Sequence, residues 1–286
     1  MEYQVKDGNL ILHIPGFSLV DSLDCGQCFR FEQLTDGRVC GMAGNHFLSA
    51  FQQGDQITFE HMEKQEFESF WKDYLDLETD YQAIQKVICQ DKTIAAACEY
   101  AGGIHILRQD SWEALCSFIL SQNNNIPRIK GIISRLCENF GEKTEYGYAF
   151  PTLQQLSQCN LEDLSVLRAG FRAKYLLDAI QKINSGEVDL ERVRTADFPQ
   201  AKEELLKICG VGTKVADCAL LFGFYRLESF PIDVWMKRVM EHFYPDGFPE
   251  YAKPYGGIAQ QYLFHYIRTC PDQIPDEIRK KQKNAG

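Results

Sequence analysis

Two patterns of apolar spacing divide the chain. Over the first sixty residues, short apolar runs at 10–14, 28–31, 38–42, 46–51 and 56–59 alternate with polar breaks. Asp36-Gly37, Gly44-Asn45 and Gly54-Asp55 stand between them, and such pairs reverse the chain between strands. This predicts an antiparallel sheet built from hairpins. From about Gln65 the period lengthens to that of a helix. Ser111 is suited to cap a central, almost wholly apolar helix over 112–120. A helix over 126–140 carries apolar residues at helical spacing and stops at Gly141. Further helices are predicted over 173–184, 201–208, 213–221, 233–242 and 257–267. No internal repeat or low-complexity tract interrupts them. The expected fold is α+β: an antiparallel β-rich N-terminal domain over 1–109, then an all-helical domain over 110–286.

Composition narrows the classes of function. The chain has 286 residues, 45% of them hydrophobic, enough for one large core or two ordinary ones. No apolar run approaches the ~20 residues that cross a bilayer. The N-terminus lacks the basic and apolar regions of a secretion signal. A soluble, intracellular monomer with no membrane partner is expected. The net charge of −10 argues against indiscriminate nucleic-acid binding. A DNA-binding face would need particular basic residues, such as Arg128, Lys130, Arg172, Lys174, Lys237 and Arg238, to gather on one side. The 11 cysteines, odd in number and scattered, read as reduced buried thiols rather than a disulfide framework. Cys25-Gly-Gln-Cys28 lacks a second pair of ligands at usable spacing, so no metal is expected there.

The chemistry concentrates in Gly210-Val-Gly-Thr-Lys214. One apolar helix ends there and another begins at once. The paired glycines allow close backbone approach and leave free N–H groups at the start of the second helix, an anion site suited to a DNA phosphate. An ordinary corner between helices would look the same. Lys214 falls in the first turn, where the helix dipole and apolar neighbours disfavour its charged form. That favours a nucleophilic amine, although a solvated surface lysine is the commoner outcome. Further on, Pro231-Ile-Asp233 places a carboxylate at the N-cap of the next helix, where it is rigidly held. Facing the lysine, it could stabilise positive charge on a sugar.

The hairpin, the lysine and the Pro-x-Asp together resemble the helix-hairpin-helix, Gly/Pro-rich loop and aspartate signature of the DNA glycosylases. Cys25-Gly-Gln-Cys-Phe-Arg30, Leu107-Arg-Gln-Asp110, Ser121-Gln-Asn-Asn-Asn-Ile-Pro-Arg128, Gly170-Phe-Arg-Ala-Lys-Tyr175 and Gly257-Ile-Ala-Gln-Gln-Tyr-Leu-Phe264 are similar to the 8-oxoguanine glycosylase/lyase branch, in family order. The resemblance implies a base-excision repair enzyme acting on duplex DNA that contains 8-oxoguanine opposite cytosine, without a cofactor. It implies Lys214 as nucleophile and Asp233 as its electrostatic partner, with Asp217 in support. Gly26 is implied to accept a hydrogen bond from N7–H of the lesion through its carbonyl. Gln260 would read the Watson–Crick edge, and Cys218 and Phe264 would sandwich the flipped base. Asn123, Arg128 and Arg172 would hold the orphaned cytosine, Phe171 would wedge into the stack, and Gly210 and Gly212 would approach a phosphate. Trp235 departs from the pattern, standing where a histidine helps to seat a phosphate. The near-C-terminal cysteines that bind an iron–sulfur cluster in another branch are represented only by Cys270. Two other readings are a glycosylase for alkylated bases, whose members generally lack the lysine, and a non-catalytic DNA-binding module.

Overall fold

A computed structural model describes residues 3–270 and Pro275. Its N-terminal part is one six-stranded antiparallel sheet. The strands are β1 (Tyr3–Lys6), β2 (Asn9–His13), β3 (Phe31–Gln33), β4 (Val39–Ala43), β5 (His46–Gln53) and β6 (Gln56–Phe59), in the order β1-β2-β6-β5-β4-β3. Alternation along β2 buries Leu10 and Leu12, which lie opposite Phe59 and Ile57 of β6. Phe67 and Trp71, from the helical segment that follows, close over that face. The expected sheet is present with two differences. β1 is additional: it is a largely exposed edge strand without apolar alternation. The run at 28–31 belongs mostly to a loop, and β3 begins only at Phe31. A short helix, Leu19–Asp24, precedes that loop and is capped by Ser18, whose hydroxyl accepts from Asp21 N–H.

The remainder is helical. At its centre lies the Ser111–Ser121 helix, buried nearly all round, as a helix apolar on every side must be. Its cap is Asp110 rather than Ser111; the Asp110 carboxylate accepts from Glu113 N–H. The Thr213–Phe224 helix packs directly against it, and the Phe118 and Phe222 rings stack with centroids 5.2 Å apart. Two more helices, Tyr81–Ile88 and Lys92–Ala101, fold back on each other. This brings Cys89 and Cys98 together as a disulfide, contrary to the expectation of reduced thiols throughout. Among the described residues the other nine cysteines are free. No helix there is long and apolar enough to cross a membrane.

Buried polar contacts join sheet to helices. Arg30 donates to the Gly44 and Tyr148 carbonyls and pairs with Glu113 at 3.3 Å. Burial raises the Glu113 carboxyl above its ordinary range, and the Arg30 charge opposes the shift.

Candidate active site

The site begins at the helical hairpin. The Phe198–Leu206 helix runs into Gly210-Val211-Gly212, and Thr213–Phe224 leaves it. Gly210 has φ +78°, and a β-carbon there would lie 2.3 Å from Cγ of Tyr175. Only glycine satisfies both the backbone and the ring. Gly212 is extended, and no side chain caps the helix it precedes, so the leading N–H groups are open to an acceptor. Lys214 is half-buried, with Nζ 5.7 Å from the centre of the Phe118 ring. One turn on, the buried Cys218 lies within electrostatic reach of Lys214. Burial pushes this thiol up to about 11; the Lys214 charge opposes that shift, and the Asp217 and Asp233 charges add to it. Cys218 is therefore a neutral thiol near neutral pH and no rival to an amine as nucleophile. The Cys218 sulfur thus feels the charges of both Lys214 and Asp233, one from the hairpin and one from the cap of the next helix. Asp233 caps Val234–Phe243, its Oδ1 accepting from Trp235 N–H (2.9 Å) and Met236 N–H (2.8 Å). The carboxylate is thereby fixed, with Oδ2 outside the cap.

A second group of the implicated residues lies along the Gly256–Thr269 helix. Gln260 is 5% exposed, and among the described residues its buried Oε1 has no hydrogen-bond partner. A buried amide oxygen left so costs about 1–3 kcal/mol, a feature expected where a ligand supplies the missing donor. Phe264, one turn along the same face, is half-buried. Gly26 reaches this helix from the N-terminal domain. Its φ is +96°, and the Cys25 carbonyl beside it accepts from Gln261 Nε2 at 3.4 Å. Gln27 anchors the loop. It is fully buried, donates to the Ser22 and His105 carbonyls, accepts from Leu107 N–H, and its own carbonyl accepts from Gln109. Two resembling segments far apart in sequence thus hold each other.

A third group lies at the start of the Ile126–Phe140 helix, capped by Asn125. Asn123 has φ +47° and is exposed, as is Arg128. Arg172 is only 3% exposed and donates to the carbonyls of Gln122 (2.5 Å), Asn123 (2.7 Å) and Ala169 (3.2 Å). Its guanidinium holds the Asn-rich turn in shape and keeps two of its five N–H donors. Burial and the charge of Arg128 both lower its pKa, so the two arginines face one region. Phe171 is 47% exposed, lies under the Arg172 guanidinium, and meets Tyr175 edge-on.

Two family models match adjoining stretches of the chain. The model for the N-terminal domain of 8-oxoguanine DNA glycosylase covers residues 10–115, and that for the HhH-GPD superfamily of base excision DNA repair proteins covers 116–250. A probable N-glycosylase/DNA lyase of Methanothermobacter thermautotrophicus is 32% identical over 213 residues, spanning 63% of this chain and 68% of the relative. The Clostridium acetobutylicum 8-oxoguanine glycosylase/lyase, solved with double-stranded DNA containing cytosine opposite 8-oxoG, superposes with a TM-score of 0.87 at 37% identity. That match covers 96% of this chain and 99% of the other. The chain belongs to the 8-oxoguanine glycosylase/lyase family. A structure of MBOgg1 with a low-affinity DNA ligand is similar to the same degree, with a TM-score of 0.87 and 38% identity over 94% of this chain and 99% of that one. The Archaeoglobus fulgidus 3-methyladenine DNA glycosylase, at 18% identity and a TM-score of 0.62, covering 93% of this chain and 89% of its own, shares the fold.

Some side chains of this glycosylase family member depart from the roles their positions suggest. Asp217 pairs with Lys202 at 2.7 Å, stitching the two hairpin helices together. Lys130 is bound to Asp24 and to the Phe31 carbonyl and is not available to the expected basic face. Trp235 has the Arg238 guanidinium 5.1 Å from the centre of its ring. Cys25 and Cys28 are buried and donate to the carbonyls of Ser22 and Leu23. Burial holds both thiols protonated, that of Cys25 at about 12. Among the described residues no three His, Cys, Asp or Glu side chains cluster as a metal would require. The anchors Gln27, Gln261 and the Arg30–Glu113 pair were not singled out from sequence, because their role is to satisfy groups remote along the chain.

Proposed function

We propose that this chain removes 8-oxoguanine from duplex DNA where it lies opposite cytosine, and then cleaves the strand. The observation that carries the reading is the buried Oε1 of Gln260, without a partner among the described residues, on the same helical face as Phe264, which we read as one side of a slot for a flat polar ligand. The base turns out of the stack and inserts between Phe264 and Cys218. Gln260 takes its Watson–Crick edge. The Gly26 carbonyl accepts N7–H, which guanine lacks; against guanine it would meet the bare N7 lone pair, a mismatch of about 1–3 kcal/mol. Asn123, Arg128 and the anchored Arg172 hold the cytosine, Phe171 fills the gap, and the open N–H groups after Gly210 and Gly212 receive a phosphate.

The amine of Lys214 donates its lone pair to C1′ as the C1′–N9 bond breaks. The bonding pair leaves with the base, which takes up a proton. Asp233 stabilises the positive charge that develops on the sugar. Loss of a proton from nitrogen and opening of the sugar ring give a Schiff base. Removal of a C2′ proton then expels the 3′ phosphate oxygen, cutting the strand by β-elimination, and water releases the lysine. The enzyme acts as a monomer, with residues 1–109 and 110–286 as its two domains.

Lys214→Gln should keep lesion binding and lose both base release and borohydride trapping on 8-oxoguanine DNA. Undiminished trapping would rule out Lys214 as the nucleophile. Wild-type protein that binds lesion DNA without trapping would favour a binding module without chemistry.

A further inference from the structure

We propose that Arg268 is a further specificity residue of the base slot, donating to the oxygen that oxidation adds at C8 of the lesion; this rests on the slot reading above. Gln260, Phe264 and Arg268 recur every fourth residue along the Gly256–Thr269 helix, so they form one stripe. At 1.5 Å per residue, the stripe runs about 12 Å from Gln260 to Arg268. Side chains on a helix lean toward its N-terminus, and Arg268 does so: its Cζ lies 5.0 Å from the centre of the Phe264 ring. Its Nη1 is 3.8 Å from where a β-carbon on Gly26 would stand. The guanidinium thus lies beside Gly26 and Phe264, about two helical turns from Gln260, and the proposal takes these as the two ends of the slot.

The orientation of the base follows from those two ends. With its Watson–Crick edge on Gln260 and N7–H on the Gly26 carbonyl, the lesion turns its five-membered ring toward Gly26. The atom beside N7 at that end is C8. O6 lies on the side toward Gln260. The C8 oxygen is an acceptor, and arginine offers only donors. Among the described residues no group accepts a hydrogen bond from Arg268, whose contacts there are the Phe264 ring and the charge interaction with His265. Unoxidised guanine carries C–H at C8 and has nothing to accept the arginine donors. For the base to take the face of Phe264, the proposal requires the guanidinium to sit at the ring's edge, beside Gly26. Its place in the last turn of the helix sets a cation at the negative end of the helix dipole.

The test is single-turnover release of 8-oxoguanine and of 8-thioguanine, each opposite cytosine. The thio base retains N7–H but presents sulfur, a poor acceptor, at C8. Intrinsic differences between the leaving groups cancel when wild type and Arg268→Met are compared on the same two substrates. Losing a hydrogen bond to a charged donor should lower the oxo/thio rate ratio by about tenfold or more in Arg268→Met. Arg268→Lys, which keeps a cationic donor, should retain part of the ratio. An unchanged ratio in Arg268→Met overturns the proposal. Phe264→Ala separates the two levels. If it slows both substrates while Arg268→Met leaves the ratio unchanged, the slot stands and the Arg268 role falls. If Phe264→Ala slows neither, the slot is misplaced and the Arg268 role falls with it.

Discussion

Gly210→Ala should distort the hairpin that presents Lys214, and the size of the effect can be worked from the geometry. The added β-carbon would meet Cγ, Cδ2 and Cδ1 of Tyr175 at 2.3, 2.4 and 2.5 Å, well inside contact distance. Overpacking of a filled space costs about 1–3 kcal/mol. The residue must also hold φ +78°, and the left-handed region costs an alanine about 1–2 kcal/mol. Together these give roughly 2–5 kcal/mol, which for a chain of this size lowers Tm by roughly 5–20 °C. The ring cannot yield freely, because Tyr175 packs edge-on against Phe171. Relief must come partly from the hairpin, and base release should slow by more than the loss of folded protein explains. The assay is thermal unfolding alongside single-turnover release for Gly210→Ala, Tyr175→Ala and the double variant. Removing the ring should restore the overlap part of the loss but not the backbone part, so the two changes should be non-additive by about 1–3 kcal/mol. Gly212→Ala is the internal control. Gly212 is extended, with nothing within 4 Å of its added β-carbon. That variant should melt within about 2 °C of wild type while binding duplex DNA more weakly, since its surface faces the proposed phosphate. A Gly210→Ala protein that melts with wild type, or strict additivity with Tyr175→Ala, would refute the steric argument.

Arg128→Met should raise cutting opposite adenine relative to cutting opposite cytosine, because the variant removes the exposed fork and leaves the anchored Arg172 in place; equal rate ratios in variant and wild type would remove Arg128 from the cytosine site. Stability should also fall in acid through His105. Burial lowers the His105 pKa from 6.5 to about 4, against opposing interactions with Asp76 and the Leu75 and Asp76 carbonyls. The folded state therefore binds fewer protons than the unfolded state between those values. This contribution is fully present above about pH 6.5 and is lost as pH falls toward 4, amounting to about 3 kcal/mol. Unfolding of wild type and His105→Asn across that range measures it, and parallel pH profiles would exclude His105 as the source.

Much of the fold was legible because its signals are local. Apolar period separates sheet from helices, paired turn residues mark the hairpins, and Asp233 caps a helix through N–H groups two and three residues on. Gly210-Val-Gly-Thr-Lys214 and Pro231-Ile-Asp233 are legible for the same reason: a helix start needs only its neighbours. The local signal was weakest where tertiary contacts do the work. β1 is an exposed edge strand, and the Leu19–Asp24 helix is too short for a period to show. At 28–31 the apolar residues serve a loop whose shape comes from Gln27 binding groups around residues 105–109.

The sequence by itself determined the order of elements and the residue types available for chemistry. Only the tertiary structure decided which of those residues are free to act. Arg172, Lys130 and Asp217 look alike from sequence, three charged side chains near a DNA-binding motif. The fold spends Arg172 largely on the carbonyls of Gln122, Asn123 and Ala169, Lys130 on Asp24 and Phe31, and Asp217 on Lys202. Gln260 is the reverse case, a glutamine buried with its oxygen unmet among the described residues. The physical reason is that a buried polar group must find a partner or lose about 1–3 kcal/mol. The partners come from elements distant in sequence, so their identity is fixed only when the whole chain has packed.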